Sequence, residues 1–151
     1  MDAADRSVEP NERIVAAVAL LVAGGAMAID HLLGTSEGDD EGALADPAMF
    51  AIAIVLSIAT AVLLFAWFVP RERDRGPERA ARSGLLCSVL SIVPGIAFLW
   101  VGFPFVIAGA GVALGLEGRG SRRRLEARAA VVVGSLLLVF GALGYLVAAV
   151  R

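Results

Sequence analysis

The chain has 151 residues, 58% of them hydrophobic and 19% charged, with a net charge of −2 and a mean hydropathy of +0.80. A soluble domain of this size carries about 45–50% apolar and about 25% charged residues, so an ordinary soluble enzyme and a disordered tail are both excluded. One cysteine and one histidine leave neither an internal disulfide nor a Cys/His metal framework, and no cofactor is expected.

Charge-free stretches alternate with short charged ones. After an acidic tail over residues 1–13, the first stretch runs from Ile14 to Leu33 and is interrupted near its end by Asp30 and His31. The second runs from Pro47 to Pro70, the third from Ser83 to Leu116 and the last from Ala129 to Val150. A bilayer core of about 30 Å takes about 20 helical residues, so the first, second and last each match one crossing. None alternates apolar and polar positions as a barrel strand would, so all are expected to be helices. Ala26-Met27-Ala28 has the small-x-small form of a leader-cleavage site. The acidic tail before it lacks the positive start of a leader, which favours an uncleaved span.

The third stretch holds 34 residues without a charge. As one helix it would be about 51 Å long, too long for a single crossing. Trp100-Val101-Gly102-Phe103-Pro104 offers a break in its middle, because Gly102 loosens a helix and Pro104 cannot continue one. Arginine counting supports the break: there is no lysine, and five helices put 12 of the 13 arginines on one side. Four helices would divide them 8 to 5. Positive charge stays on the cytoplasmic side. The expected fold is therefore an all-α bundle of five transmembrane helices, at about 14–33, 48–69, 83–101, 103–116 and 129–150, with four helices as the alternative. The same stretch can also be read as a re-entrant hairpin. The N-terminus is placed in the cytoplasm and the C-terminus outside.

Few residues carry chemistry. Asp30 and His31 are the ionisable pair inside a predicted span, which makes them candidates for an ion or proton site. Their place near the outer end, beside the acidic 34–46 segment, reads more simply as an interfacial pair. That segment lacks the D-x-D-x-D-G order of a calcium loop. Cys87 sits alone in an apolar helix, as a packing thiol does. The arginines of 71–82 and 119–128 alternate with Glu72, Asp74, Glu78, Glu117 and Glu126, so anionic lipid heads suit them better than nucleic acid. Arg122, Arg123 and Arg124 are the densest candidate contact.

Small-residue spacing is the remaining signal. Ala127, Gly134, Gly141 and Ala148 recur every seven residues, which puts them on one helix face and leaves Leu137 and Leu138 on faces expected to meet lipid. Gly111 and Gly115 form GxxxG, beside Gly109 and Ala113, and Gly24 and Ala28 repeat the spacing in the first helix. Such faces let helix backbones approach closely, within one bundle or between copies in a homo-oligomer or larger membrane complex.

From "SGLLCSVLSIVPGIAFLWVGFPFVIAGAGVALGLEGRGSRRR" to "ARAAVVVGSLLLVFGALGYLVA", over residues 83–150, the chain resembles small multi-pass membrane proteins of actinobacteria in domain families of unknown function. Gly115 and the Arg119–Arg124 segment fit that pattern; the acidic 34–46 segment is no part of it. The resemblance implies a plasma-membrane location rather than a chemistry. No nucleophile–base pair stands out, so the function expected is a structural or accessory role and not an enzyme's. The alternative, a small transporter or channel subunit, rests on Pro94-Gly95, which could break a helix.

Overall fold

The computed structural model describes residues 10–34, 47–97 and 102–150, with the backbone alone for some of them, Asp30, His31, Tyr145 and Ala148 included. The described residues are helical throughout their ordered elements, without a strand among them. Helix α1 spans Pro10–Gly34 and α2 spans Pro47–Ala61. A π-helical stretch, Val62–Phe68, joins α2 to α3 (Val69–Asp74). Then come α4 (Pro77–Leu90), α5 (Ile92–Ala97), α6 (Phe103–Glu117) and α7 (Arg124–Val150). Among the described residues, two continuous helical stretches are long and apolar enough to cross a membrane by length and composition, Pro47–Asp74 and Arg124–Gly144.

Helix α6 is the axis of the bundle. Eleven of its residues are buried, Phe105, Val106 and Leu114 completely. Apolar on every side, it shows no amphipathic stripe, as a helix enclosed by neighbours must. Its glycines face different partners. A Cβ at Gly109 would meet Ala19 of α1, one at Gly111 would meet Gly84 and Ser88 of α4, and one at Gly115 would meet Ala127, Ala130 and Val131 of α7. The GxxxG pair flanks Gly84 of α4, whose Cβ would lie 2.9 Å from the Gly111 carbonyl and 2.8 Å from the Gly115 nitrogen, and Gly115 meets α7 besides.

These contacts fix the helix directions. Gly118 lies on Ala81 and Gly111 on Ser88, so α4 and α6 are antiparallel. Gly115 lies on Ala127 and Gly141 on Phe105, so α6 and α7 are antiparallel too. Gly109 meets Ala19 and Gly102 meets Ala23 and Met27, which sets α1 against α6 in the same sense. Met27 in turn packs with Ala53, and Val69 packs with Leu114, so α2 and α3 descend towards the end where α6 finishes. The helices alternate up and down.

Several boundaries differ from the sequence reading. The second helix does not stop at residue 69 but continues through Pro70 to Asp74. Proline has no N–H, and its ring clashes with the carbonyl four residues back. The π-helical stretch resolves this by re-routing the ladder: the Val69 N–H bonds the Leu64 carbonyl, five residues back. The basic segments 71–82 and 119–128 hold tight turns, with most of their arginines on helix ends. At the first, Gly76 with φ +103° turns the chain ahead of Pro77, the first residue of α4. At the second, a 3-10 turn over Gly118–Gly120 leads towards α7, which starts at Arg124 and not at 129. The expected helix 83–101 begins at Pro77 and breaks at Ser91, because Pro94 cannot bond the Leu90 carbonyl and Ser91 ends α4; residues 98–101 lie outside the described residues.

Gly102 does break the long run, with φ +77°, and it starts α6 ahead of Pro104. Yet Gly102 is buried, against the Ala23 carbonyl and Met27. At 15 residues α6 is about 22 Å long, well short of the roughly 33 Å of the 22 charge-free residues 48–69. Helix α4 keeps an exposed apolar face at Leu86, Val89 and Leu90, and α1, α2 and α7 extend past Gly102.

Candidate functional site

The described polar chemistry gathers at the end where α3 meets α4 and α6 meets α7. Beyond Pro70 the chain turns charged, and Glu72 comes to lie buried between α3 and α4. The Ser83 hydroxyl donates to its Oε2 at 2.7 Å, and the Arg75 guanidinium pairs with its Oε1. The Ser83 hydrogen bond, opposed by burial and helped by Arg75, holds the Glu72 carboxyl below the usual carboxylate range. Arg73 Nε meets Glu117 Oε2 at 3.5 Å and ties the end of α6 to α3. Arg123 pairs with Glu126 one turn along, whose Oε2 is buried without a hydrogen-bond partner. The Ser121 hydroxyl donates to the Gly118 carbonyl at 2.7 Å and accepts the Arg123 N–H at 3.1 Å, which locks the second turn. Arg71 lies over the exposed Trp67 ring at 5.1 Å, a cation–π pair of the sort found where apolar surface meets water.

Several clefts open among these groups, one of about 490 Å³ beside Glu72, Ser83, Arg123 and Glu126. A cleft of about 500 Å³ mixes signs, with Glu78 and Glu126 beside Arg122, Arg123 and Arg124. A cleft of about 310 Å³ is lined by Arg119, Arg124 and Arg128. The sequence grouped Arg122, Arg123 and Arg124 as one contact. All three line the cleft of about 500 Å³; Arg123 is also engaged by Glu126, and Arg124 lines the cleft of about 310 Å³ as well, with Arg119 and Arg128. Arg119 and Arg128 were not singled out, because they are separated from the triplet in the chain. The four-residue step from Arg124 to Arg128 along a helix was the signal that could have found the latter.

The small-residue face of α7 points into the bundle. A Cβ at Gly134 would lie 2.7 Å from Val112 and 2.9 Å from the Ala108 carbonyl, and one at Gly141 would fall on the Phe105 ring. Ala127 is fully buried, whereas the side chain of Ala148 lies outside the described residues. Leu138, expected to meet lipid, belongs to the core around Phe105, and Leu137 packs against that core. Gly24 and Ala28 of α1 are exposed, with nothing within 4 Å of a Gly24 Cβ. The α4–α6–α7 seam carries one buried polar link: the Ser88 hydroxyl donates to the Ala130 carbonyl at 2.8 Å. Ser91 Oγ returns to the Ser88 carbonyl at 2.7 Å. Cys87 is buried beside this seam. The Asp30 and His31 side chains lie outside the described residues. Among the described residues no three His, Cys, Asp or Glu side chains gather as a metal site would need.

No protein-family model matches the chain, and neither a curated protein nor a solved structure is significantly similar to it.

Proposed function

We propose that the chain is a multi-pass protein of a bacterial plasma membrane, N-terminus cytoplasmic and C-terminus outside, with a structural or accessory role and no catalytic one. Its five helical passes are three full-length helices (α1, α2 with α3, and α7) and the shorter α4–α6 hairpin, of which α6 is the enclosed member. One observation carries this reading: the outward faces of the long helices are apolar. Leu21 is 74% exposed, Val55 66% and Phe140 70%, with many large aliphatic neighbours alike. In water such a surface exceeds what a monomer tolerates, whereas lipid is its natural solvent. The arginines of both tight turns mark the cytoplasmic end by the positive-inside bias.

The transport reading is weaker on the same ground. Where a pore would follow the bundle axis, Phe105, Val106 and Leu114 fill the space. Ion flux through liposomes carrying the purified protein, above that of empty vesicles, would overturn the accessory role. The topology has its own test. The protein is expected to stay with membranes after alkaline carbonate washing. An impermeant maleimide on intact cells should label Ser36→Cys and leave Gly120→Cys unlabelled until the cells are opened. Release by carbonate, or labelling of Gly120→Cys from outside, contradicts the topology.

A further inference from the structure

The geometry points to the cleft of Arg119, Arg124 and Arg128 as a binding site for the phosphate headgroup of an anionic phospholipid. This rests on the membrane reading and adds to it a specific ligand and position. Three guanidiniums line the cleft with no acidic side chain among its lining residues, unlike the neighbouring cleft, where Glu78 and Glu126 offset the charge. All three arginines are exposed, and none is engaged in a described ion pair. Guanidinium groups match phosphate oxygens in pairs, so three of them around about 310 Å³ suit one phosphodiester better than an isolated point charge would.

The position favours a lipid over a free anion. Arg124, Arg128, Val132, Val139 and Leu143 follow helical spacing along one exposed stripe of α7, charged at its start and apolar beyond. From Arg128 to Val139 the rise is about 16 Å, close to half of the roughly 30 Å hydrocarbon core. A headgroup held by the arginines would therefore lay its acyl chains along the apolar part of the same stripe, within one leaflet. Leu125, 80% exposed beside Arg124, adds an apolar contact at the boundary.

Native mass spectrometry from neutral detergent, with phosphatidylglycerol or phosphatidylcholine added, tests this. Wild type should retain phosphatidylglycerol in preference to phosphatidylcholine. Each basic side chain near an anionic surface contributes on the order of a fivefold change in binding. Arg128→Gln should then weaken phosphatidylglycerol retention about fivefold, and the Arg119→Gln/Arg124→Gln/Arg128→Gln variant on the order of a hundredfold. Arg71→Gln, on α3, should leave it unchanged, and Arg128→Lys should keep most of it. Because the three side chains are exposed, melting temperature in phosphatidylcholine should stay at the wild-type value. Equal phosphatidylglycerol retention by wild type and the triple variant overturns the site. So does displacement of the lipid by millimolar inorganic phosphate, which would make it a free-anion site. Carbonate washing separates the two failures: a protein that stays in the membrane while the triple variant keeps its lipid loses this site alone.

Discussion

Gly141→Leu is expected to lower the melting temperature in detergent by about 2–12 °C, corresponding to an overpacking cost of about 1–3 kcal/mol. A Cβ at residue 141 falls on Cε1 of Phe105 and lies 2.6 Å from its Cζ. That ring is fully buried in the core with Ala19, Ala23, Val106 and Leu138, so it has no free space to retreat into. Phe140→Leu, on the 70% exposed neighbour, should change stability by about 0.5 kcal/mol or less. Truncating the ring gives the sharper test. Phe105→Ala alone should cost about 3–5 kcal/mol through the cavity it leaves. Combined with Gly141→Leu, the new side chain occupies that cavity, so the double variant should be more stable than the sum of the singles predicts by about 1–3 kcal/mol. Strict additivity would mean that the two residues do not share a space. The contact lies within one chain, so light scattering should give wild type and Gly141→Leu the same mass.

Much of the helical layout was legible because a bilayer-length helix writes itself as a charge-free run. The break at Gly102 was legible for a related reason, since a glycine followed by a proline two residues on marks a turn before a new helix. Other features left little trace in the residues. Helix α6 reads like its neighbours in composition, yet it is the one enclosed on all sides. A run that is apolar all round is compatible with lipid or with protein, and the sequence does not distinguish them. The sequence also did not show which neighbours the glycines of α6 meet: Gly109 meets α1, Gly111 and Gly115 share Gly84 of α4, and Gly115 meets α7 as well. Leu138 was placed on another face from Gly141, yet it lies four residues after Gly134 and three before Gly141, which puts it beside the same buried line. The continuation of the second helix through Pro70 depends on a π-helical ladder, which no residue pattern announced. At the arginine-bearing end, charge order was visible and pairing was not. Nothing local says that Glu72 meets Ser83 eleven residues later, because that meeting depends on the tight turn at Gly76.

The same substitution, glycine to alanine, should act in opposite directions at two places. Gly111→Ala is expected to destabilise the protein by about 1–3 kcal/mol. Its Cβ would lie 2.9 Å from the Gly84 carbonyl and 2.9 Å from the Ser88 N–H nitrogen, besides overlapping the Ser88 hydroxyl. Two of these are backbone atoms in the middle of α4, which cannot turn aside as a side chain can. The hairpin would have to separate, and with it the Ser88 hydrogen bond to Ala130 would lengthen. Gly84→Ala should do the same from the other side, since its Cβ would lie 2.8 Å from the Gly115 nitrogen and 2.9 Å from the Gly111 carbonyl. Gly24→Ala is the counterpart. It is helical and exposed, with nothing within 4 Å of its Cβ, so the change restricts the unfolded chain and collides with nothing. Alanine is favoured over glycine by about 1 kcal/mol inside a helix, and Gly24→Ala should raise the melting temperature by about 2–4 °C. Thermal melts of the three variants in one detergent compare them directly. A fall for Gly24→Ala would mean that the exposed Gly24–Ala28 face of α1 is covered in the detergent-solubilised protein, and light scattering would then show a particle larger than one chain. An unchanged melt for Gly111→Ala would mean that α4 and α6 are not in contact at this glycine pair.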